Sequence, residues 1–138
     1  RIFAKKLLPL MVVSAHPLIR YPQKTSDSCR IYELLETKDK SKNTSEVARS
    51  LAIPVAKIIL LGDSGGDGPH FEWGKANGTF LVGSMTKPSL DVYCRDKDID
   101  IDLRFGLDYS RPEKRNPQEE FQVNFMDLAT TIEEIVER

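Results

Sequence analysis

The residues of this chain best suited to chemistry are two aspartates four positions apart on a glycine-rich turn, Asp63 and Asp67 in Gly62-Asp63-Ser64-Gly65-Gly66-Asp67-Gly68. They follow the apolar run Ile58-Ile59-Leu60-Leu61 and precede Pro69-His70, where a helix is expected to begin. An open α/β sheet builds its site outside the carboxyl ends of its strands, so a buried strand ending in carboxylates is a natural place for one. Two carboxylates on a tight turn suit a hard cation such as Mg²⁺, which takes oxygen ligands and keeps several waters. Glycines let the backbone turn sharply, and the amides around Ser64 and Gly65 are expected to stay free to face an anion. The pattern reads as a Mg²⁺ and phosphate site, with His70 as a pocket residue beside it.

Each residue also has a plainer role. Asp63 and Asp67 suit the N-terminus of the helix at Pro69, where acidic residues are favoured. His70, Phe71 and Trp73 could line a pocket beside the metal, but aromatics in a helix just after such a turn are more often core.

The elements that must position the turn follow from apolar runs and their Gly/Pro punctuation. Leu7 to Val13 reads as a short strand ending at Ser14, and residues from there to Ser28 as mostly loop. Ile31 to Leu35 is a second strand. Thr44 to Ala52 is a helix with Val47, Ala48 and Leu51 on one face, started by Asn43 or Thr44 and closed by Pro54. Ala56 to Leu61 is the central strand. A helix from Pro69 to about Ala76 ends at Asn77-Gly78, Thr79 to Met85 is a strand, and Pro88 to Cys94 is a short helix. Asp96 to Asn116 is charged and turn-rich. Phe121, Phe125, Leu128, Ile132 and Ile135 mark a closing segment whose last part is an amphipathic helix, with Glu133, Glu134 and Glu137 on its polar side. Strands alternating with helices give an α/β fold with a mostly parallel sheet and helices on both faces.

Composition sets the outer limits. A chain of 138 residues is expected to make a single domain, 1–138. Its 40% apolar and 30% charged residues are those of a globular protein. A net charge of −1 argues against a nucleic-acid partner, and no apolar run approaches the roughly 20 residues of a membrane span. Cys29 and Cys94 make neither a disulfide framework nor a zinc motif, so a cytoplasmic setting is expected.

The glycine turn behind an apolar strand resembles the fourth motif, Gly-Asp-x-x-x-Asp, of the haloacid dehalogenase (HAD) superfamily of phosphohydrolases. Two further motifs of that family have counterparts in the right order. Its lysine at the start of the preceding helix corresponds to Lys40 or Lys42, 23 and 21 residues before Asp63. Its Ser or Thr at the end of an apolar strand corresponds to Ser14, after Leu10-Met11-Val12-Val13. The first motif, Asp-x-Asp, should precede Ser14, yet the 13 residues before Ser14 hold no aspartate. Asp100-Ile101-Asp102 has the spelling but stands at the wrong end.

The resemblance implies a Rossmann-like three-layer HAD core, incomplete at its N-terminus, in a chain that begins inside a longer protein. It implies a Mg²⁺-dependent phosphatase acting on a small phosphorylated substrate through an aspartyl-phosphate, with the nucleophilic aspartate outside these residues. Asp63 and Asp67 would hold the metal, Lys40 or Lys42 the phosphate, and Ser14 would donate to a phosphoryl oxygen. The chain alone is then expected to be inactive, and an incomplete sheet to associate through its exposed edge. Two other readings stand beside this one. The first is a non-catalytic HAD-like module that binds Mg²⁺ or phosphate. The second comes from Gly62-Asp63-Ser64-Gly65-Gly66, which also spells the nucleophile segment of trypsin-like serine proteases, with Ser64 as nucleophile and His16 as base.

Overall fold

A computed structural model describes residues 12–15, 30–109 and 115–136, and for 12–15 and 30–32 the backbone alone. The expected strand residues before Val12, the loop to Ser28, and His16, Cys29 and Glu137 lie outside the described residues. Backbone contacts divide the chain into two compact units, Arg1–Ala52 and Ile53–Arg138.

In the first unit β1 (Val12–Ala15) pairs in parallel with β2 (Arg30–Glu33), Ser14 opposite Tyr32. Helix α1 spans Asp39–Ser50 and so starts five residues before the expected Thr44. The reason is Asp39. Its carboxylate accepts the N–H groups of Leu35 at 3.0 Å and Glu36 at 2.9 Å, which closes the turn upstream of the helix. Those bonds hold the Asp39 carboxyl below the usual carboxylate range. Thr44 is therefore inside the helix, where its hydroxyl donates to the Lys40 carbonyl. Asn43 is also inside; its side-chain amide donates to the Glu33 carbonyl at 2.9 Å and ties α1 to the end of β2.

The second unit is built on a parallel sheet of β3 (Ile59–Gly62), β4 (Phe80–Ser84) and β5 (Leu103–Phe105), in that order. Helix α2 (Gly68–Asn77) crosses from β3 to β4, and α3 (Pro88–Asp96) from β4 to β5. Both start with proline in the first turn, where the missing N–H costs nothing. Gly78 ends α2 at φ 69°, as its sequence position predicts. The central strand starts later than expected because Val55–Lys57 forms a 3₁₀ turn. The sheet gains a strand the charged composition hides, β5.

Pairing puts Leu60 beside Leu81 on one face of the sheet and Leu61, Val82 and Leu103 on the other. On the first face, Phe71 of α2 and Leu90 and Cys94 of α3 close over Leu60 and Leu81 to form the core with Ile99. The Cys94 thiol is pushed up by burial, which suits a packing role. On the second face, Phe105 meets Phe125 of helix α5 (Phe125–Val136), ring centroids 5.4 Å apart. Helices therefore lie on both faces of a parallel sheet, the expected α/β pattern.

The closing segment differs from expectation. A short helix, α4 (Pro117–Glu120), precedes α5, and the turn between them leaves Phe121 89% exposed and Phe125 55% exposed while Leu128 is buried. Among the described residues no helix is long and apolar enough to cross a membrane.

Candidate functional site

The carboxyl ends of β3 and β4 open onto a cavity of about 600 Å³ in the second unit. Asp63 and Asp67 line it from the β3 turn, Ser84 and Met85 from the end of β4, and Arg115, Glu120 and Phe121 from the closing segment. Met85 has φ 52°, a left-handed conformation costly for a residue with a side chain. It is held there by its N–H on the Phe105 carbonyl at 3.0 Å and its sulfur under the Leu107 N–H. Non-glycine residues kept in that region cost of order 1–3 kcal/mol and concentrate at functional sites.

The two aspartates do different work. Asp67 Oδ2 accepts the N–H groups of Asp63 at 2.9 Å and Ser64 at 3.3 Å, which locks the turn that presents Asp63. Asp67 thus braces the 3₁₀ turn Gly65–Asp67 and makes no side-chain cap bond to the helix that starts at Gly68, so the plainer helix-capping role is not the one it fills. The Asp63 carboxylate faces Lys87, whose Nζ lies 3.2 Å from Oδ2 and whose backbone N–H donates to the Asp63 carbonyl at 2.8 Å.

The amides of the turn are not free, contrary to expectation. Those of Asp63 and Ser64 are taken by Asp67, and that of Gly65 donates to Ser89 Oγ at 3.1 Å. The physical reason is general: a half-buried N–H without a partner is costly, so a short turn satisfies its own donors.

Arg115 and Glu120 form the far wall. Arg115 Nε donates to Glu120 Oε1 at 2.8 Å, and the Tyr109 hydroxyl donates to the same oxygen at 2.6 Å. Arg115 first, then Tyr109, holds the Glu120 carboxyl below the usual carboxylate range, and Lys87 adds to the effect. Burial and then Glu120 push the Tyr109 phenol up. Glu120 raises the Arg115 pKa, with Asp63 a smaller contributor. Asp63, Lys87, Glu120 and Arg115 therefore share one electrostatic neighbourhood.

The other expected site residues fall as follows. Ser64 and Gly65 are in the β3 turn beside Asp63. His70 is on α2, half-buried, its ring 5.9 Å from that of Trp73, and it is not among the cavity's lining residues. Ser14 lies in β1, and Lys40 and Lys42 in the first turn of α1, Lys40 half-buried and Lys42 exposed; all three belong to the first unit. Asp100-Ile101-Asp102 precedes β5, and Asp102 accepts the Leu81 N–H at 2.7 Å near the start of β4. It thus sits at the end of the sheet opposite Asp63. Ser64 stands between a parallel strand and a helix, not in the all-β surroundings the protease reading requires.

Sequence reasoning missed Lys87 and Arg115. Lys87 was within reach: it follows the strand Thr79 to Met85, and the rule that singled out Asp63 at a strand's carboxyl end applies equally there. Arg115 carries no such local signal.

Comparison with known proteins finds no matching family, no matching curated protein and no matching solved structure.

Proposed function

We propose that this chain is the C-terminal part of a HAD-type, Mg²⁺-dependent phosphatase core, its nucleophilic aspartate lying outside these residues. The observation that carries the reading is the Asp63 carboxylate on a cavity at the carboxyl ends of parallel strands, held by a turn that Asp67 locks. The donor set fits the metal. Asp63 and Asp67 both line the cavity, and Mg²⁺ is commonly held by one or two carboxylates plus waters and substrate phosphate. Among the described residues no three His, Cys, Asp or Glu side chains converge, so a complete protein cage is not expected of them. When bound, the metal would offset the repulsion between phosphate and carboxylates.

On the HAD resemblance Lys40 or Lys42, both in the first turn of α1, would be the lysine that pairs with the phosphate. On this reading the nucleophile forms an aspartyl-phosphate that water hydrolyses. Association would run through β3, an edge strand of the second unit's sheet.

The test is calorimetric titration of the 138-residue chain with Mg²⁺, beside Asp63→Asn, with hydrolysis of a generic aryl phosphomonoester assayed on both. Expected are Mg²⁺ binding weakened at least about tenfold in the variant, worth 1.4 kcal/mol, and no turnover by either protein. Equal Mg²⁺ affinity in the two would sink the metal assignment, and turnover by the chain would sink the placement of the nucleophile.

Lys87 adds a second expectation, because a bound cation must compete with the Lys87–Asp63 ion pair. Surface pairs are worth about 0.2–1 kcal/mol, and this half-buried one, with side chains 21% and 34% exposed, is taken at the upper end. Lys87→Met is therefore expected to tighten Mg²⁺ binding by up to about fivefold in the same titration. Weaker binding would mean that Lys87 supports the metal site and does not occupy it.

A further inference from the structure

Arg115 lines the cavity together with Asp63 and Asp67, and its side chain is 53% exposed. A surface arginine paired with a glutamate five residues on is ordinary and contributes little. This pair is built differently. The Glu120 oxygen that takes Arg115 Nε also takes the hydroxyl of Tyr109, which is only 8% exposed. The Tyr109 hydroxyl in turn accepts the Asn116 N–H at 3.2 Å, and its backbone N–H donates to the Thr86 carbonyl at 2.8 Å, just beyond β4. A continuous chain of bonds thus runs from the end of β4 through a buried phenol to the guanidinium.

The donor used matters as much. Among the described residues, Arg115 bonds Glu120 through Nε, the donor nearest the side-chain stem. The planar fork suits two-point recognition of a phosphate or carboxylate, and a bond at Nε restrains the guanidinium while using one of its five donors. The turn amides that might have met an anion are spent on Asp67 and Ser89. Lys87 is committed to Asp63. With Asp63, Asp67 and Glu120 on the walls, an oxyanion entering this cavity needs a cation that faces it.

We propose that Arg115 is the oxyanion-binding residue of this cavity and that Glu120 and Tyr109 position it. The identity of the oxyanion, the phosphoryl group of a phosphomonoester, rests on the phosphatase reading above; the recognition by Arg115 does not.

The probe is inorganic phosphate, titrated into the full chain by calorimetry, once in EDTA and once with Mg²⁺. The variants are Arg115→Gln, Arg115→Lys, Glu120→Gln and the double variant Arg115→Gln/Glu120→Gln. Arg104→Gln serves as control, since Arg104 pairs with Asp91 elsewhere. Circular dichroism checks that each variant keeps its fold. Phosphate affinity is expected to fall about tenfold in Arg115→Gln, less in Arg115→Lys, and not at all in Arg104→Gln. Glu120→Gln should weaken phosphate binding while Arg115 is present and have no further effect once Arg115 is gone, which a merely structural role of Glu120 would not produce. Absence of phosphate binding by the unaltered chain, or undiminished binding by folded Arg115→Gln, overturns the proposal. Phosphate binding in EDTA that depends on Arg115, in a chain that ignores Mg²⁺, would uphold it while the metal reading fell. Asp63-dependent Mg²⁺ binding with phosphate affinity indifferent to Arg115 would do the reverse.

Discussion

Phe71→Ala is expected to destabilise the second unit by about 3–5 kcal/mol, the usual cost of emptying a phenylalanine from a packed core. Phe71 is 0% exposed and stands where α2 meets β3 and β4, against Leu60 and Leu81, with Leu90 of α3 in the same core. None of these neighbours is positioned to collapse into the space. Two are fixed in a hydrogen-bonded parallel ladder, Leu60 opposite Leu81, and the third is on a helix that closes the crossover to β5. Domains of this size lose about 4–8 °C of Tm per kcal/mol, so the melting point should fall by at least about 12 °C. Phe121→Ala is the matched control. That ring is 89% exposed, and its removal should change stability by no more than about 0.5 kcal/mol. Urea unfolding followed by circular dichroism reads both. A Phe71→Ala protein within about 1 kcal/mol of the parent would mean that α2 does not close this core.

The same contrast shows how far the sequence could be read. Phe71 and Phe121 are one residue type; the sequence offers Phe71 as a core aromatic and Phe121 only as a mark of the closing segment. What separates them is tertiary. Phe71 lies in a helix with proline in its first turn, whose direction the Gly62–Gly68 turn sets locally after a strand, whereas Phe121 sits at a break between α4 and α5 that no composition marks. The readable elements, β3, α2, β4 and α3, are those delimited by Gly or Pro and by continuous apolar runs. The unreadable ones depend on charged residues doing backbone work. Asp39 draws the start of α1 upstream, and Asp102 holds the Leu81 amide beside a three-residue β5 in a stretch too charged to look like a strand.

The site divides along the same line. Asp63 and Asp67 were legible because both lie on one turn, and their spacing already carries the geometry in which one carboxylate braces the other's backbone. Which aspartate does the bracing was not legible, since it depends on the turn closing as a 3₁₀ segment. Arg115 reaches the cavity through a tyrosine six residues before it and a glutamate five residues after it, and no local pattern announces such a link.

Gly68→Ala is expected to cost about 1–3 kcal/mol, the range for forcing extra volume into a packed site. Gly68 is the first residue of α2, and a Cβ there would fall among the ring carbons of Tyr93, at 2.5 Å from Cδ1 and 2.7 Å from Cδ2. The ring has little freedom to step aside. Its hydroxyl donates to Glu72 Oε2 at 2.8 Å, and burial, followed by that bond, pushes the phenol up to about 12. The added methyl group must therefore pry α2 from α3. Because Asp67 immediately precedes Gly68, the strain enters the turn that presents Asp63, and the Mg²⁺ binding proposed above should weaken along with stability. A double-mutant cycle separates this account from a general intolerance of the helix start. In a Tyr93→Ser background, where the space is open, the cost of Gly68→Ala should largely vanish, giving a coupling energy within the 0.5–3 kcal/mol typical of residues in contact. Simple additivity of the two substitutions would show that the ring is not what excludes the methyl group, and that glycine is needed at position 68 for its backbone instead.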